Sequence, residues 1–177
     1  MKYVLLLRGV NVGGKNRVEN SRLCDVLQQL GYSAVNTYIN SGNAVFSAKK
    51  PINRKYIQNA LLSEFGFAVD FVCLDANRFL RIVESIPDDW TNDTLQKSDV
   101  FFLFPEIDDA SAVMKVGYNI DIETVMYVPG ALLWNIRREN QSRGSARKIV
   151  GTTVYALMTI RNVNTVRALA KLLSDKT

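Results

Sequence analysis

The sequence predicts an α+β fold in which one order of strands and helices occurs in each of two halves. Short apolar runs typical of strands alternate with longer stretches whose apolar residues recur every three or four positions, as in amphipathic helices. Two of the apolar runs are joined by Asn40-Ser41-Gly42-Asn43, and Asn and Gly tolerate the left-handed backbone of a hairpin turn. The first half therefore has the order β-α-β-β-α-β, the split unit of ferredoxin-like (alpha-beta plait) sheets.

The first half is predicted to hold four strands and two helices. The strands are the apolar runs at 2–7, 34–39, 44–48 and 69–74. Asn20 or Ser21 is expected to cap the first helix, and Gly31 follows its end, where glycine is favoured. Pro51 is expected to start the second helix, because proline suits the first turn of a helix.

The second half loosely repeats this order. A helix from Asp75 leads into a connection around 85–98, and the middle strands turn at Pro129-Gly130. The further elements are strands at 100–104, 124–128, 132–136 and 157–160, a short helix at 108–116, a partly helical basic segment at 137–151 and a final helix after Arg161-Asn162. We expect residues 1–75 and 76–177 to be two ferredoxin-like halves packed together, the second with extra helices.

The composition excludes several kinds of catalytic site. The chain has no histidine, which removes the commonest general base, the commonest transition-metal ligand and both Ser-His-Asp and Cys-His catalysis. Cys24 and Cys73 are too few for a structural zinc site and are predicted to be buried free thiols. We therefore expect neither a metal nor another cofactor.

The charge and hydropathy pattern indicates a cytoplasmic protein. The formal net charge is +5, which favours anionic partners, although a basic surface also occurs on proteins that have none. No apolar run approaches the roughly 20 residues needed to span a bilayer. The N-terminal apolar run is interrupted by Arg8 and has no signal-peptide cleavage site. We expect no membrane partner, and these features leave the oligomeric state open.

The loop that follows the first strand is the main candidate for a ligand site. Its cations, amides and glycines are Arg8, Asn11, Gly13, Gly14, Lys15 and Asn16. Glycine lets the backbone approach a ligand closely, while Arg, Lys and Asn side chains donate hydrogen bonds to an anion. The loop has neither the Gly-Lys-Ser/Thr ending of a Walker loop nor the spacing of a dinucleotide-binding GxGxxG motif. The alternative is a tight strand-to-helix connection.

Topology brings further residues to this site. In a ferredoxin-like sheet the first strand and the first hairpin strand run parallel, so residues 8–16 and 40–43 should be neighbours. Asn40, Ser41 and Asn43 therefore join the ligand-binding candidates, although by themselves they form a hairpin turn. Arg161 and Asn162 open the final helix and are added to the same set. Asn162 can alternatively serve as a helix cap.

A second basic region lies between residues 137 and 148. Its cations are Arg137, Arg138, Arg143, Arg147 and Lys148. We consider Arg137, Arg143, Arg147 and Lys148 as candidates for phosphate contacts. The alternative is a solvated basic face. In the second half, Arg137 and Arg161 follow strands that should end at one edge of the sheet, opposite the Pro129-Gly130 turn.

Three blocks of the sequence carry a family resemblance. LLRGVNVGGKNR at 6–17, YINSGNAVF at 38–46 and TIRNVNTVRAL at 159–169 resemble the bacterial family of proteins of unknown function DUF1697. Val163 is a departure, because many members have Trp at this position. The resemblance implies two ferredoxin-like halves packed together. It implies no activity and supplies no catalytic residue.

The function indicated by these features is binding of a phosphate-bearing or other anionic ligand, such as a nucleotide, at the loops rich in Gly, Asn and Arg. One alternative is an enzyme without histidine or metal that stabilises an anionic substrate through Arg8, Lys15 and Arg161. Another is weak binding to nucleic acid. It is less favoured, because the two central strands of the first half offer only two aromatic residues, Tyr3 and Phe46, for base stacking.

Overall fold

Residues 1–174 are described by a computed structural model, in which they form a mixed α+β structure with two separate four-stranded antiparallel sheets and seven α-helices. The chain divides into two units. The first unit comprises Met1–Phe79 and the described residues that follow Ala168, and the second comprises Leu80–Ala168. Within residues 1–174, no helix combines the length and the apolar character that crossing a membrane requires.

The first unit is built around a central strand that is buried on both faces. Its elements are β1 (Lys2–Leu7), α1 (Asn20–Gln29), β2 (Ser33–Thr37), β3 (Asn43–Ser47), α2 (Arg54–Phe65) and β4 (Phe71–Asp75), followed by α3 (Ala76–Glu84), within which the second unit begins. The strand order is β2-β3-β1-β4, with every neighbouring pair antiparallel. Consecutive β1 residues Val4, Leu5 and Leu6 are fully buried, which explains the continuous apolar run of this strand.

One face of this sheet forms a core with the first two helices. Leu5, Phe46 and Phe71 on three neighbouring strands contribute to it from the sheet. The helices contribute apolar residues at intervals of four, namely Leu23 and Leu27 of α1 and Ile57 and Leu61 of α2. Burying each such side chain stabilises the fold by about 1.5–3 kcal/mol. This core therefore fixes α1 and α2 against the sheet.

The starts of both helices differ from the sequence prediction. Pro51 does not start α2, which begins at Arg54 because the Asn53 side chain accepts a hydrogen bond from the Lys55 backbone N–H at 3.0 Å. In α1 the cap position is Glu19 rather than Asn20 or Ser21, which already belong to the helix.

The second unit repeats the strand order of the first. Its elements are β5 (Gln96–Leu103), α4 (Ala112–Val116), β6 (Glu123–Val128), β7 (Ala131–Arg137), α5 (Ser145–Lys148), α6 (Thr153–Ala156), β8 (Met158–Asn162) and the start of α7 (Val163–Ser174), with 3₁₀ segments at Pro105–Ile107 and Arg138–Arg143. The strand order is β6-β7-β5-β8, again antiparallel throughout. The basic segment 137–148 is thus a 3₁₀ segment and a short helix, which agrees with the partly helical structure predicted for it.

The β5 strand is longer than predicted, because it begins with four polar residues. The sequence prediction starts this strand at residue 100, whereas the structure starts it at Gln96. The polar residues are accommodated by hydrogen bonds across the sheet. Asn135 of β7 donates to Gln96 Oε1 and to Ser98 Oγ, both at 2.7 Å. A separate difference concerns the helix predicted at 108–116, which is shorter and starts at Ala112.

The polar start of β5 and the ends of β7 and β8 lie at one end of the second sheet. Arg137 pairs with Gln96, and Asn162 pairs with Asp99. The turn that precedes Ala131 lies at the other end, where Ala131 pairs with Phe102. This register confirms that β7 and β8 end on a common edge. The basic segment 137–148 starts from this edge.

Candidate functional site

The loop after β1 is a narrow hairpin closed by its own amides. Asn11 adopts a positive φ of 57° and its backbone N–H bonds to the Asn16 carbonyl at 3.1 Å. The Asn11 side chain donates to the Val18 carbonyl and accepts from the Val18 N–H, both at 2.9 Å. The same side chain donates to the Asn40 carbonyl at 2.9 Å, which joins the loop to the hairpin tip. The two loops are therefore neighbours, as the topology predicts.

Other predicted ligand donors are also engaged within these loops. The Asn16 side chain donates to the Gly9 carbonyl at 3.2 Å. Asn43 is fully buried and donates to the Tyr38 carbonyl and to Ser41 Oγ. Asn43 therefore does not line a surface, which corrects the expectation that it faces a ligand together with Asn11 and Lys15. Its position as the first residue of β3 explains this burial.

A shallow cleft remains at this end of the first unit. We call it the loop cleft; its lining residues are Asn11, Gly14, Lys15, Arg17, Val18, Glu19, Asn20 and Asn40, and its volume is about 510 Å³. The Arg17 guanidinium forms an ion pair with the Glu19 carboxylate at 3.2 Å. Lys15 is exposed and adds a second cation. Arg8 is half-buried, and Arg8, Gly13, Asn16 and Ser41 are not among the lining residues.

The side chains of Arg161 and Asn162 make hydrogen bonds within the second unit. Arg161 lies within β8 and is buried, and its Nη1 donates to Thr159 Oγ1 and to the Ile160 carbonyl. Burial lowers the pKa of this guanidinium to about 10. Asn162 caps α7, since its Oδ1 accepts the Thr165 N–H at 2.9 Å. The sequence suggests that Arg161 is an exposed cation at the start of the final helix. The structure corrects this expectation, because Arg161 is a buried residue of β8. It is buried because β8 extends two residues further than predicted.

The basic segment forms one side of a cleft against the second sheet. We call it the cation cleft; its lining residues are Lys97, Trp134, Arg138, Gln141, Ser142, Ala146 and Arg147, and its volume is about 600 Å³. Three of the lining residues are cationic, and no lining residue is acidic. Of the four predicted phosphate contacts, Arg147 lines this cleft. Arg137 lines an adjacent cleft, and Arg143 and Lys148 are exposed outside both.

A buried carboxylate holds the wall of the cation cleft in place. Glu123 Oε1 accepts hydrogen bonds from the indole Nε1–H of Trp134, the backbone N–H of Ser145 and the Ser145 hydroxyl, each at 2.7 Å. Its Oε2 accepts the Asn119 backbone N–H at 2.7 Å. Both carboxylate oxygens therefore serve as hydrogen-bond acceptors. A Cβ at Gly144 would lie 3.2 Å from Glu123 Oε1 and 2.9 Å from Ile136 Cδ1, so the close packing here favours glycine.

Arg138 is fixed by hydrogen bonds to neutral oxygen atoms. Its Nε donates to the Asp93 backbone carbonyl, its Nη1 to Gln141 Oε1 and its Nη2 to Asn92 Oδ1, at 2.8–2.9 Å. The Asp93 carboxylate is bound separately by Thr91, Gln96 and Leu95, and these hydrogen bonds, with a smaller contribution from Arg138, lower its pKa. The guanidinium is thus held rigidly at the cleft without a direct carboxylate partner among these contacts.

Lys97 is the cation of this cleft that sequence analysis did not find. It precedes the predicted strand, and residues 37 to 50 positions away in the sequence form the opposite wall. Its ammonium lies 3.3 Å from Asp99 Oδ2 and 5.7 Å from the centroid of the Trp134 ring. The available signal for this arrangement is the spacing of Lys97 and Asp99, since residues two apart share one face of a strand.

Neither cysteine contributes to a site. Both are free, as predicted, but both are only partly buried, which corrects the expectation of full burial. Burial raises the pKa of the Cys73 thiol to about 12, and the nearby Arg54 guanidinium only partly opposes this effect. Within residues 1–174, no group of three or more Cys, Asp or Glu side chains is placed to hold a metal ion.

Comparisons with known proteins agree with the fold and assign no activity. The structure is similar to that of the conserved bacterial protein SP0830 from Streptococcus pneumoniae, with a TM-score of 0.80 and 28% sequence identity over 97% of this chain and 98% of that chain. No curated protein matches the sequence. The model of the family described as "Protein of unknown function (DUF1697)" matches residues 1–134. The chain therefore belongs to the DUF1697 family.

Proposed function

We propose that this protein binds a small phosphate-bearing or other anionic ligand in the cation cleft of the second unit. The observation that carries the proposal is the convergence of Lys97, Arg138 and Arg147 on one cleft whose lining contains no carboxylate. Fixed positive groups stabilise an anion most effectively when they need no rearrangement to reach it. The hydrogen bonds of Arg138 support such preorganisation.

Uncommitted donors beside these cations support the same ligand class. Arg147 is exposed and has no hydrogen bond or ion pair with the described part of the chain. Gln141 uses its Oε1 as the acceptor for Arg138, which leaves its amide N–H groups as donors for a ligand. Ser142 adds an exposed hydroxyl. Two guanidinium groups, an amide and a hydroxyl are the donors that phosphate recognition commonly uses.

The size of the cleft and the burial of its aromatic residue favour a small anion over a nucleic-acid strand. A volume of about 600 Å³ lies within the usual range for small-molecule sites. Trp134 is only 1% exposed and Lys97 lies over its ring, so a base has no free aromatic face for stacking. The lining residues also include no carboxylate or thiol that could act as a general base, which supports binding rather than catalysis.

The loop cleft of the first unit is a second proposed anion site, supported by its exposed Lys15. We rank it lower for two reasons. Its Arg17 is paired with Glu19, which itself lines the cleft. The side chains of Asn11 and Asn16, proposed as donors to a ligand, make hydrogen bonds within the loop itself.

We also propose that both units are ferredoxin-like and that the chain has duplicated one unit, with the domains near 1–75 and 76–177. The first unit has the element order and the strand order expected for this fold. The second unit has the same strand order, and its 3₁₀ segment, α5 and α6 occupy the connection between β7 and β8. On this proposal the cation cleft belongs to the connection in which the second unit departs most from the first.

Calorimetric titration with inorganic phosphate tests the proposed function. We expect the wild-type protein to bind phosphate and the Arg147→Ala variant to bind it at least about tenfold more weakly, since a hydrogen bond to a charged group contributes about 1.5–3 kcal/mol. Lys148→Ala is the matched control, because it removes the same charge from the adjacent exposed residue outside the cleft lining. Equal losses in both variants, or no binding by the wild type, would contradict the proposal.

A further inference from the structure

We infer that Asp99 sets the anion affinity of the cation cleft, because it competes with the bound anion for the Lys97 ammonium. This inference rests on the proposed function. It identifies Asp99 as an affinity-determining residue that does not itself line the cleft. It also predicts a linkage between proton uptake and anion binding.

The geometry places Lys97 between a buried carboxylate and the open cleft. Lys97 and Asp99 are two residues apart on β5, so their side chains share one face of the sheet. The Lys97 ammonium lies 3.3 Å from Asp99 Oδ2, and the two side chains are 29% and 7% exposed, respectively. Asp99 therefore contacts Lys97 from the protein interior, while an anion would approach Lys97 from the cleft.

The other groups around Asp99 leave Lys97 as its principal counter-ion. Trp134 of β7 and Asn162 of β8 pair with Asp99 on either side, and both are neutral. Arg138, from the 3₁₀ segment, acts on Asp99 as a more distant positive charge. An ionised Asp99 thus offsets part of the positive charge that the cleft presents to a ligand.

The protonation of Asp99 responds to this environment. Burial raises the pKa of Asp99, and this effect exceeds the opposing effects of Lys97 and Arg138. Asp99 consequently takes up a proton at a higher pH than an ordinary aspartate, whose pKa is about 3.9. Once Asp99 is neutral, the full charge of Lys97 acts on the ligand. Affinity should therefore rise as the pH falls through the pKa of Asp99, and anion binding should in turn favour proton uptake by Asp99.

Sulfate is the appropriate probe, because it stays a dianion across the whole pH range of the experiment. We expect sulfate affinity, measured by calorimetry, to increase from pH 7.5 to pH 3.5 in the wild type. Asp99→Asn should bind sulfate at least about tenfold more tightly at pH 7.5, because removing one unit charge about 6 Å from a dianion has that effect at the dielectric constant of water and a larger effect at a lower dielectric. In Asp99→Asn the increase at low pH should be largely lost.

Two further variants separate this effect from a general change in charge. Asp109→Asn makes the same charge change at an exposed carboxylate paired with Lys115, and it should leave sulfate affinity within about twofold of wild type. Lys97→Met should weaken binding and should reduce the gain from Asp99→Asn in the double variant, because the loss of Lys97 raises the pKa of Asp99 further and leaves less negative charge to remove. This coupling would not arise if Asp99→Asn merely changed the stability of the fold.

The outcomes distinguish this inference from the proposed function. A wild-type protein that binds sulfate and responds to Arg147→Ala, while a folded Asp99→Asn variant binds no more tightly, would overturn the role of Asp99 alone. A wild-type affinity that stays constant between pH 7.5 and pH 3.5 would overturn it without any variant. If the wild type binds no sulfate at any pH, both proposals are contradicted.

Discussion

The carboxylate of Glu123 accepts the indole N–H of Trp134 at 2.7 Å and, through the same oxygen, anchors Ser145. This buried contact joins β6, β7 and the start of α5, and so determines where the basic segment lies on the sheet. The cation cleft depends on it, since Trp134 forms part of the lining and Arg147 lies on the same short helix as Ser145. The site is therefore supported by a residue that sequence analysis did not single out.

Replacing Glu123 should destabilise the protein even when shape is preserved. In Glu123→Gln, an NH2 group replaces one of the two carboxylate oxygens. This group faces other donors, so those buried donors lose their acceptor. We expect a decrease of about 1–3 kcal/mol in the free energy of unfolding, measured with urea. Glu139→Gln is the control, because Glu139 is exposed and should change stability by less than about 0.5 kcal/mol. Equal effects of the two variants would contradict the anchoring role.

Gly42 is predicted to be intolerant of alanine for two separable reasons. Its φ of 69° disfavours any residue with a Cβ, and that Cβ would lie 2.7 Å from both Leu7 Cβ and Val10 Cγ2. Gly66 has a similar φ of 75° but open space around it. Gly66→Ala should therefore cost about 1–2 kcal/mol for the backbone conformation, and Gly42→Ala a further 1–3 kcal/mol for overpacking. Thermal unfolding that ranks the two variants equally would rule out the steric contribution.

Asn11 is predicted to be a structural residue of the loop. Asn11→Gly preserves its positive φ but removes the side-chain hydrogen bonds to Val18 and Asn40, so we expect a loss of about 1–3 kcal/mol in stability. Asn16→Gly, at a comparable φ of 52° on an exposed residue with one side-chain bond to Gly9, should cost less than about 1 kcal/mol. Chemical denaturation of both variants provides the test. Asn11→Gly with unchanged stability would return this side chain to the list of ligand donors.

The two cysteines should remain thiols, and Cys73 should be nearly inert. A pKa of about 12 leaves roughly a thousandfold less thiolate at neutral pH than an ordinary cysteine has, and the thiolate is the reactive species. Mass spectrometry after iodoacetamide treatment at pH 8 should show Cys73 modified rapidly in urea but very slowly in the native protein. Rapid native modification of Cys73, or a Cys24–Cys73 disulfide, would contradict this prediction.

The parts of the fold that the sequence predicts are those governed by local pattern. β1 appears as a continuous apolar run, and Asn40–Asn43 as a turn whose position next to the first loop follows from topology. The start of β5 was missed because Gln96 and Ser98 are stabilised by Asn135, a partner 39 and 37 residues away. Polar residues in a strand carry no local signal of such partners.

The candidate site was predicted less well for the same physical reason. An Asn in a glycine-rich loop is typical of a ligand site, but its side chain is no longer available to a ligand when the loop and its neighbour supply acceptors, as for Asn11. Conversely, Arg147 is a candidate ligand contact because the fold brings Lys97 and Arg138 to the same cleft. The order of residues along the chain does not reveal either relationship.

The central claim is that the cation cleft, and not the loop cleft, receives the anion. A phosphate titration followed by two-dimensional amide NMR tests it most directly, because each backbone N–H reports on its own surroundings. We predict saturable shifts at Gln141, Ser142 and Arg147, with the amides of Gly14 and Lys15 unchanged. Saturable shifts confined to Gly14 and Lys15, or the absence of saturable shifts from both clefts, would contradict the account.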